Sequence, residues 1–379
     1  MTGREKVASA LSGEGARQLG VVLCYEGIYV RDHWSQLTDA PWWHQHAPEV
    51  DWQVAWRRDV LQRTGMDWFH VAQACSREER RALSLEERAD GVWRRDARSG
   101  RATRLCPPVV GGWSPGGGLH SVRPEHLARS PEEVDAAIPG PVPFSADDFR
   151  RAGRTDLVEA LRLSLGDELY PLASVPSPLW LCYHLWGFEG MMTQVAQEPE
   201  LVARACRRYL DLHLPGVHQA AALGAAGVWI EECLTDLVSP QAYRRLCLPY
   251  LRAVVEETRA CGMQSIYYYC GDPSDRFDLL VEAGADALSL EESKKGFTID
   301  IEDVLARVNG RCAVLGNLDA VGVLQDDTEA RLRQEVERQV RAGRRHGSRF
   351  VMGLGSPVTP GTPVARVRLY CDLARDLGR

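Results

Sequence analysis

Between residues 227 and 377 the chain alternates short apolar runs with amphipathic stretches, and nearly every run ends in polar or acidic residues. This is the period of βα units, which set their strands side by side in a parallel sheet. Gly227-Val228-Trp229-Ile230 reads as a strand, as do the runs at 264–269, 287–290, 312–315 and 350–352. Helices are predicted over about 240–260, 277–281, 301–308, 328–346 and 363–377, where apolar residues recur at helical spacing. The N-terminal half is less regular, but the runs 20–25 and 67–71 read as two further strands, with Trp34, Trp42, Trp43, Trp52 and Trp56 between them. Residues 89–118 read as an inserted hairpin and glycine-rich loop, and 130–144 as a proline-rich surface connection. The expected fold is a single (β/α)₈ TIM barrel with N-terminal elaborations, one domain over residues 1–379.

Composition narrows the function. A hydrophobic fraction of 45% with 26% charged residues suits a globular core. The net charge of −7 argues against nucleic acid as partner and for a small molecule. The eleven cysteines are odd in number and irregular in spacing, so they read as reduced thiols of a cytoplasmic protein. No stretch reaches the roughly 18–20 consecutive apolar residues of a membrane helix, so no membrane partner is expected. Oligomeric state is left open.

Four blocks carry a resemblance: Tyr269-Cys270-Gly271-Asp272, then Glu282 to Ser289, then Gly316-Asn317-Leu318-Asp319, and Gly355-Ser356-Pro357 with Pro360-Gly361-Thr362-Pro363. In this order they resemble the uroporphyrinogen decarboxylase superfamily, whose members include zinc-dependent methyltransferases that take a methyl group from a corrinoid. The resemblance implies a barrel enzyme with its site at the strand ends, and a corrinoid protein as a partner. Thiol-methylating members bind zinc through a His-x-Cys pair and a later Cys, because a thiol acceptor is activated by a Lewis acid. Here Cys270 falls on the first Cys, Tyr268 on the His and Leu354 on the later Cys. Cys270 is thus the expected ligand for zinc or another divalent metal, with Glu291, Glu292, Cys233 or Glu231 as substitutes for the rest. The decarboxylase itself resembles this chain but grips its substrate with an arginine-rich N-terminal motif. Cys24-Tyr25-Glu26-Gly27-Ile28-Tyr29-Val30-Arg31 stands in its place, which argues against uroporphyrinogen as substrate.

Read without the family, Glu26, Glu231, Glu232, Asp272, Glu291, Glu292 and Asp319 all follow predicted strands and are expected to crowd one rim. Carboxylates so close cannot all ionise cheaply, so they imply a metal, a cationic substrate or a protonated general acid. Arg31, Lys294 and Lys295 are the counter-cations of the alternative in which they are merely paired. Strand alternation puts Tyr268 on the face of Cys270 and opposite Tyr267 and Tyr269. Glu291, Glu292, Glu231 and Tyr268 are therefore the catalytic candidates, and Glu26, Arg31, Glu232, Asp272, Asn317 and Asp319 the substrate-binding ones. Three functions stay open: a methyltransferase-like enzyme for a small methylated or thiol-bearing substrate, a metal-independent lyase or decarboxylase, and a non-catalytic binding barrel.

Overall fold

The computed structural model describes residues 1–113, 123–124, 127–293 and 296–379. Lys294, Lys295 and residues 114–118 of the expected insertion lie outside the described residues. Eight parallel strands form the barrel: β1 (Gly20–Val21), β2 (Trp68–His70), β3 (Tyr170–Pro176), β4 (Gly227–Cys233), β5 (Gln264–Cys270), β6 (Ala287–Leu290), β7 (Ala313–Leu315) and β8 (Phe350–Met352). They pair in the order β1-β8-β7-β6-β5-β4-β3-β2, so the two ends of the sheet are the first two strands of the chain. Helices fill the outside, among them Pro199–Ala222 before β4 and Glu329–Arg345 before β8.

Local chemistry explains the most legible elements. In the helix Ile301–Val308, Asp300 accepts the Glu302 N–H, Ile301, Val304, Leu305 and Val308 form one buried face, and Asn309 stops the helix in the left-handed region. Ala287–Leu290 is buried at every position, as a strand covered on both faces requires. Two expectations need correction. The predicted helix 240–260 is two helices, Pro240–Leu246 and Leu248–Ala260, because Pro249 has no N–H to give and the backbone at Cys247 is distorted to φ −109°. The inserted segment is a three-stranded antiparallel sheet that begins at Leu83, ahead of the expected hairpin. The strand β3 was not expected from the sequence, since Pro171 and Pro176 interrupt its apolar run.

The gap between β1 and β2 is closed by Asp67. Its N–H donates to Val21 O at 2.8 Å, its carbonyl accepts from Tyr170 N at 2.9 Å, and its Oδ2 accepts the Val21 N–H at 2.9 Å. The carboxylate also pairs with Lys6 Nζ at 3.5 Å, and both side chains are buried. One aspartate thus replaces the ladder bonds that the two-residue β1 cannot make. Inside the ring, aromatic side chains form a continuous column. Trp68 meets Trp229 edge-on at 5.8 Å, and Trp229 stacks on Tyr268 at 5.0 Å between centroids. Such pairs contribute about 0.5–1.5 kcal/mol each beyond burial.

Glu232 was expected at the rim, and the structure corrects this. Strand alternation sends it outward, opposite Glu231, into the layer between β4 and its helices. There it is fully buried, with Oε2 accepting from Cys247 Sγ at 2.9 Å and from Ser177 Oγ, while Oε1 has no partner among the described residues. Burial pushes its carboxyl up to about 7, against the lowering effect of the Cys247 and Ser177 hydrogen bonds.

Two stability predictions follow from these buried acids. Asp67→Ala leaves Lys6 as an unpaired buried cation and Val21 N–H as an orphan, and is expected to cost about 3–5 kcal/mol in denaturant unfolding. For Glu232 the folded pKa lies above the unfolded one, so the folded state holds its proton longer. Stability is therefore full below the unfolded value and is lost as pH rises toward 7. The loss is on the order of 3 kcal/mol from this residue. Glu232→Gln keeps an acceptor for Ser177 and Cys247, and is expected to remove that part of the pH slope. An unchanged slope between pH 4.5 and 7.5 would refute the assignment.

Candidate active site

The strand ends converge on a mouth divided by Tyr25. This residue follows β1 with φ of 53°, left-handed backbone that a tyrosine rarely adopts, and Leu234 after β4 has φ of 63°. Strain of this kind persists only where surrounding contacts fix it. Here the Tyr25 ring meets Tyr268 edge-on at 5.4 Å and Trp113 at 4.8 Å, while its hydroxyl donates to Glu231 Oε1 at 2.8 Å. Tyr25 is the residue that sequence reasoning missed: it was read as the end of a strand, and nothing in the sequence marks a left-handed turn without glycine.

On one side of Tyr25 lies an inner chamber of about 310 Å³ lined by Tyr25, Trp113, Tyr268, Cys270, Glu291 and Glu292, with the loop Ser356–Thr359. The lining residues include no arginine or lysine among those described. The catalytic candidates Tyr268, Glu291 and Glu292 therefore do come together with Cys270. Tyr268 donates to Gly355 O at 3.1 Å, and Ser356 Oγ donates to Glu292 Oε2 at 2.8 Å. Gly355 permits that approach, because a Cβ there would sit 2.8 Å from the Glu291 carbonyl carbon. Glu231 stands behind the Tyr25 hydroxyl, and its Oε1 also accepts from Cys233 Sγ at 3.5 Å. Burial raises the Glu231 carboxyl, and the hydrogen bonds from Tyr25 and Cys233 only partly offset this.

On the other side is an outer chamber of about 570 Å³ lined by Glu26, Arg31, Trp56, Arg57, His70 and Ser174, among others. Burial pushes Glu26 up to about 7 and His70 down to about 4, and lowers Arg57 to about 10. Arg31 was expected to bind substrate. It lines this chamber, and its guanidinium pairs with Asp32 at 2.8 Å and donates to Gly112 O, while Asp32 accepts the Gly112 N–H at 2.8 Å. The pair thereby fixes the Gly111-Gly112-Trp113 segment over the mouth.

Glu26 lines the outer chamber, whereas Asp272, Asn317, Asp319 and Glu232 are placed in neither lining. Asp272 accepts from Ser274 N at 2.9 Å and Asp319 accepts from Val321 N and Gly322 N at 2.9 Å, so both cap turns. Asn317 is buried, donating to Glu291 O at 3.1 Å and to Ile299 O at 2.9 Å. It positions the Glu291 backbone and lines neither chamber. Glu232 faces the helix layer.

Metal binding at the mouth was tested on the donors present. Cys233 and Cys270 are register partners on β4 and β5, and a hydrogen bond with Cys270, followed by burial, holds the Cys233 thiol well above its ordinary value. Tyr268, at the family's His position, is engaged with Gly355, and Leu354 is buried aliphatic core. Among the described residues, only one set of three His, Cys, Asp or Glu ligand atoms lies within 4.8 Å of one another, and it is not at the mouth. The residues present do not fit the zinc site that the resemblance implies for thiol-methylating members.

Comparison with known proteins agrees with this architecture. The family model described as uroporphyrinogen decarboxylase (URO-D) matches residues 121–377. A uroporphyrinogen decarboxylase of Solibacter usitatus is 29% identical over 46% of this chain and 48% of its own length. That of Myxococcus xanthus is 25% identical over 62% and 65%. The chain thus spans about half to two-thirds of these curated relatives. In fold it is similar to a methyltransferase from Methanosarcina mazei, with a TM-score of 0.64, 16% identity and coverage of 99% of this chain and 98% of that one. With a family match over more than half its length and an eight-stranded parallel barrel to carry it, the chain belongs to the uroporphyrinogen decarboxylase family.

Proposed function

We propose that this chain is a methyl-transfer enzyme acting on a small methylated molecule, with Glu231 as the general acid for the departing heteroatom. The observation that carries the reading is the Tyr25–Glu231 hydrogen bond of 2.8 Å beside a chamber with carboxyls and aromatic rings but no described cation in its lining. A decarboxylase must hold an anionic substrate, and arginine is the side chain suited to that task. An inner chamber with Glu291 and Glu292 in its wall and no described cation offers a carboxylate no counter-charge and suits a neutral or cationic molecule, whose methyl groups pack against aromatic faces.

In this mechanism the Tyr25 hydroxyl holds Glu231 Oε1, leaving the acidic proton on Oε2. The acceptor's nucleophile, a thiolate where the acceptor is a thiol that has already released its proton to solvent, attacks the methyl carbon as the carbon–heteroatom bond breaks; the heteroatom takes the Glu231 proton, and Glu231 regains a proton from solvent. The products are the methylated acceptor and the free alcohol, thiol or amine. The acceptor is proposed to be a small thiol or a corrinoid carried by a partner protein. Burial serves the chemistry directly, since a raised carboxyl pKa keeps the acid protonated nearer neutrality.

Thermal-shift screening is the test, with tetramethylammonium, dimethyl sulfide and anisole set against acetate and malonate. Methylated probes are expected to raise the Tm of the full chain. Stabilisation by the carboxylates alone would instead favour a lyase that seats its acid against Arg57. With a methylated compound in hand, Glu231→Gln is expected to lower methyl release by roughly 10²–10⁴-fold with binding retained. The wild-type rate should fall as pH rises and the acid loses its proton. A Glu231→Gln enzyme with full turnover would sink the proposal.

A further inference from the structure

Away from the mouth, two outer helices bring together a second set of metal-ligating side chains. The helix Pro199–Ala222 leads into β4 and the helix Leu248–Ala260 leads into β5. Both end at the N-terminal face of the barrel, opposite the chambers. His218 belongs to the first helix and Glu257 to the second, and Cys261 follows the second directly, one turn beyond Glu257. His218 Nε2 lies 2.6 Å from Glu257 Oε1, and a ligand atom from each of the three residues lies within 4.8 Å of the other two. Imidazole nitrogen, carboxylate oxygen and thiolate sulfur form a donor set suited to zinc, with ligand distances of about 2.0–2.3 Å.

We propose that His218, Glu257 and Cys261 form a structural zinc site, completed by one water, which clips these two helices together at the stability face of the barrel. The geometry favours a tie of this kind over a plain ion pair. Glu257 and Cys261 are presented from adjacent turns of one backbone, so two ligands are fixed relative to each other before the ion arrives, and only His218 has to be positioned from the neighbouring helix. His218 is exposed, and Glu257 and Cys261 are partly so, which leaves an entry path and room for water. Arg259, the nearest cation in the sequence, donates to Gly284 O at 2.9 Å, so its charge is directed elsewhere. The Cys261 thiol is held up by burial and by the Glu257 carboxylate, an unfavourable juxtaposition that a bound dication reverses. Zinc enters by displacing the thiol proton to solvent, with no change in oxidation state.

The experiment is zinc titration of the full-length, chelator-treated protein against a chromophoric competitor, with cobalt(II) absorption as a second readout. One equivalent is expected to bind wild type and the Cys270→Ser variant alike, and to raise Tm by mass action. Cys261→Ser and His218→Ala are each expected to weaken binding by on the order of 100-fold, or about 2.8 kcal/mol. Cys261→Ser should also abolish the cobalt–thiolate charge-transfer band, which a merely electrostatic cluster would not show. Absence of stoichiometric binding, binding that survives Cys261→Ser, or binding that is lost in Cys270→Ser would each overturn the site. None of these results depends on the reaction proposed for the mouth.

Discussion

The ring is held shut by one buried aspartate. A parallel barrel has no free edge, yet β1 is two residues long and cannot zip to β2 by a ladder of its own. Asp67 bridges the seam with backbone on one side and carboxylate on the other, and Lys6 from the N-terminal helix neutralises it. Everything at the mouth inherits its position from this closure, because Tyr25 stands four residues beyond Val21. β1 is already tied to β8 on its other side, so the seam gives the segment that leads to Tyr25 a second tie, through β2 and β3, to the β4 and β5 strands that carry Glu231, Cys233, Tyr268 and Cys270.

Closure also decides the electrostatics. Trp229 and Tyr268 fill the interior below the mouth, and several carboxyls on and around β4 and after β1 lose solvent. Glu26, Glu231 and Glu232 all respond with raised pKa values, each chiefly through burial. Only their partners separate their roles. Glu232 is enclosed by Ser177 and Cys247, Glu26 looks into the outer chamber, and Glu231 alone is held by a tyrosine at the strand-end mouth.

Much of this was legible in the sequence where a single physical rule dominates. Ala287–Leu290 and Phe350–Met352 were read to the residue, because strands covered on both faces are simply apolar runs bounded by polar residues. The orientation of Tyr268 with Cys270 also came straight from the period of two. β3 escaped because its prolines mimic a loop, although Pro171 stands near the strand's start and Pro176 at its end, where a missing N–H does least harm. Glu232 was misplaced because β4 was read as ending at Ile230. With three more residues in the strand, alternation separates it from Glu231. Asp272, Asn317 and Asp319 follow strands as expected, but the two aspartates bond to backbone two or three residues on, as short polar side chains readily do, and Asn317 bonds to the distant carbonyls of Glu291 and Ile299.

Two exchanges at the mouth set this chain apart from the thiol-methylating members it resembles, and they reinforce each other. A histidine at position 268 would offer a ligand nitrogen. Tyr268 instead offers a flat ring, which stacks on Trp229 below and receives Tyr25 edge-on above, and its hydroxyl is spent on Gly355. At position 354 a cysteine would close a metal site from β8, whereas Leu354 is buried and extends the apolar wall. Each change removes a donor and adds hydrophobic surface. Tyr268 and Leu354 thus leave the mouth without two of the metal ligands that the resemblance implies, while Glu231, whose carboxyl is raised by burial, is held by Tyr25 where the strand ends meet.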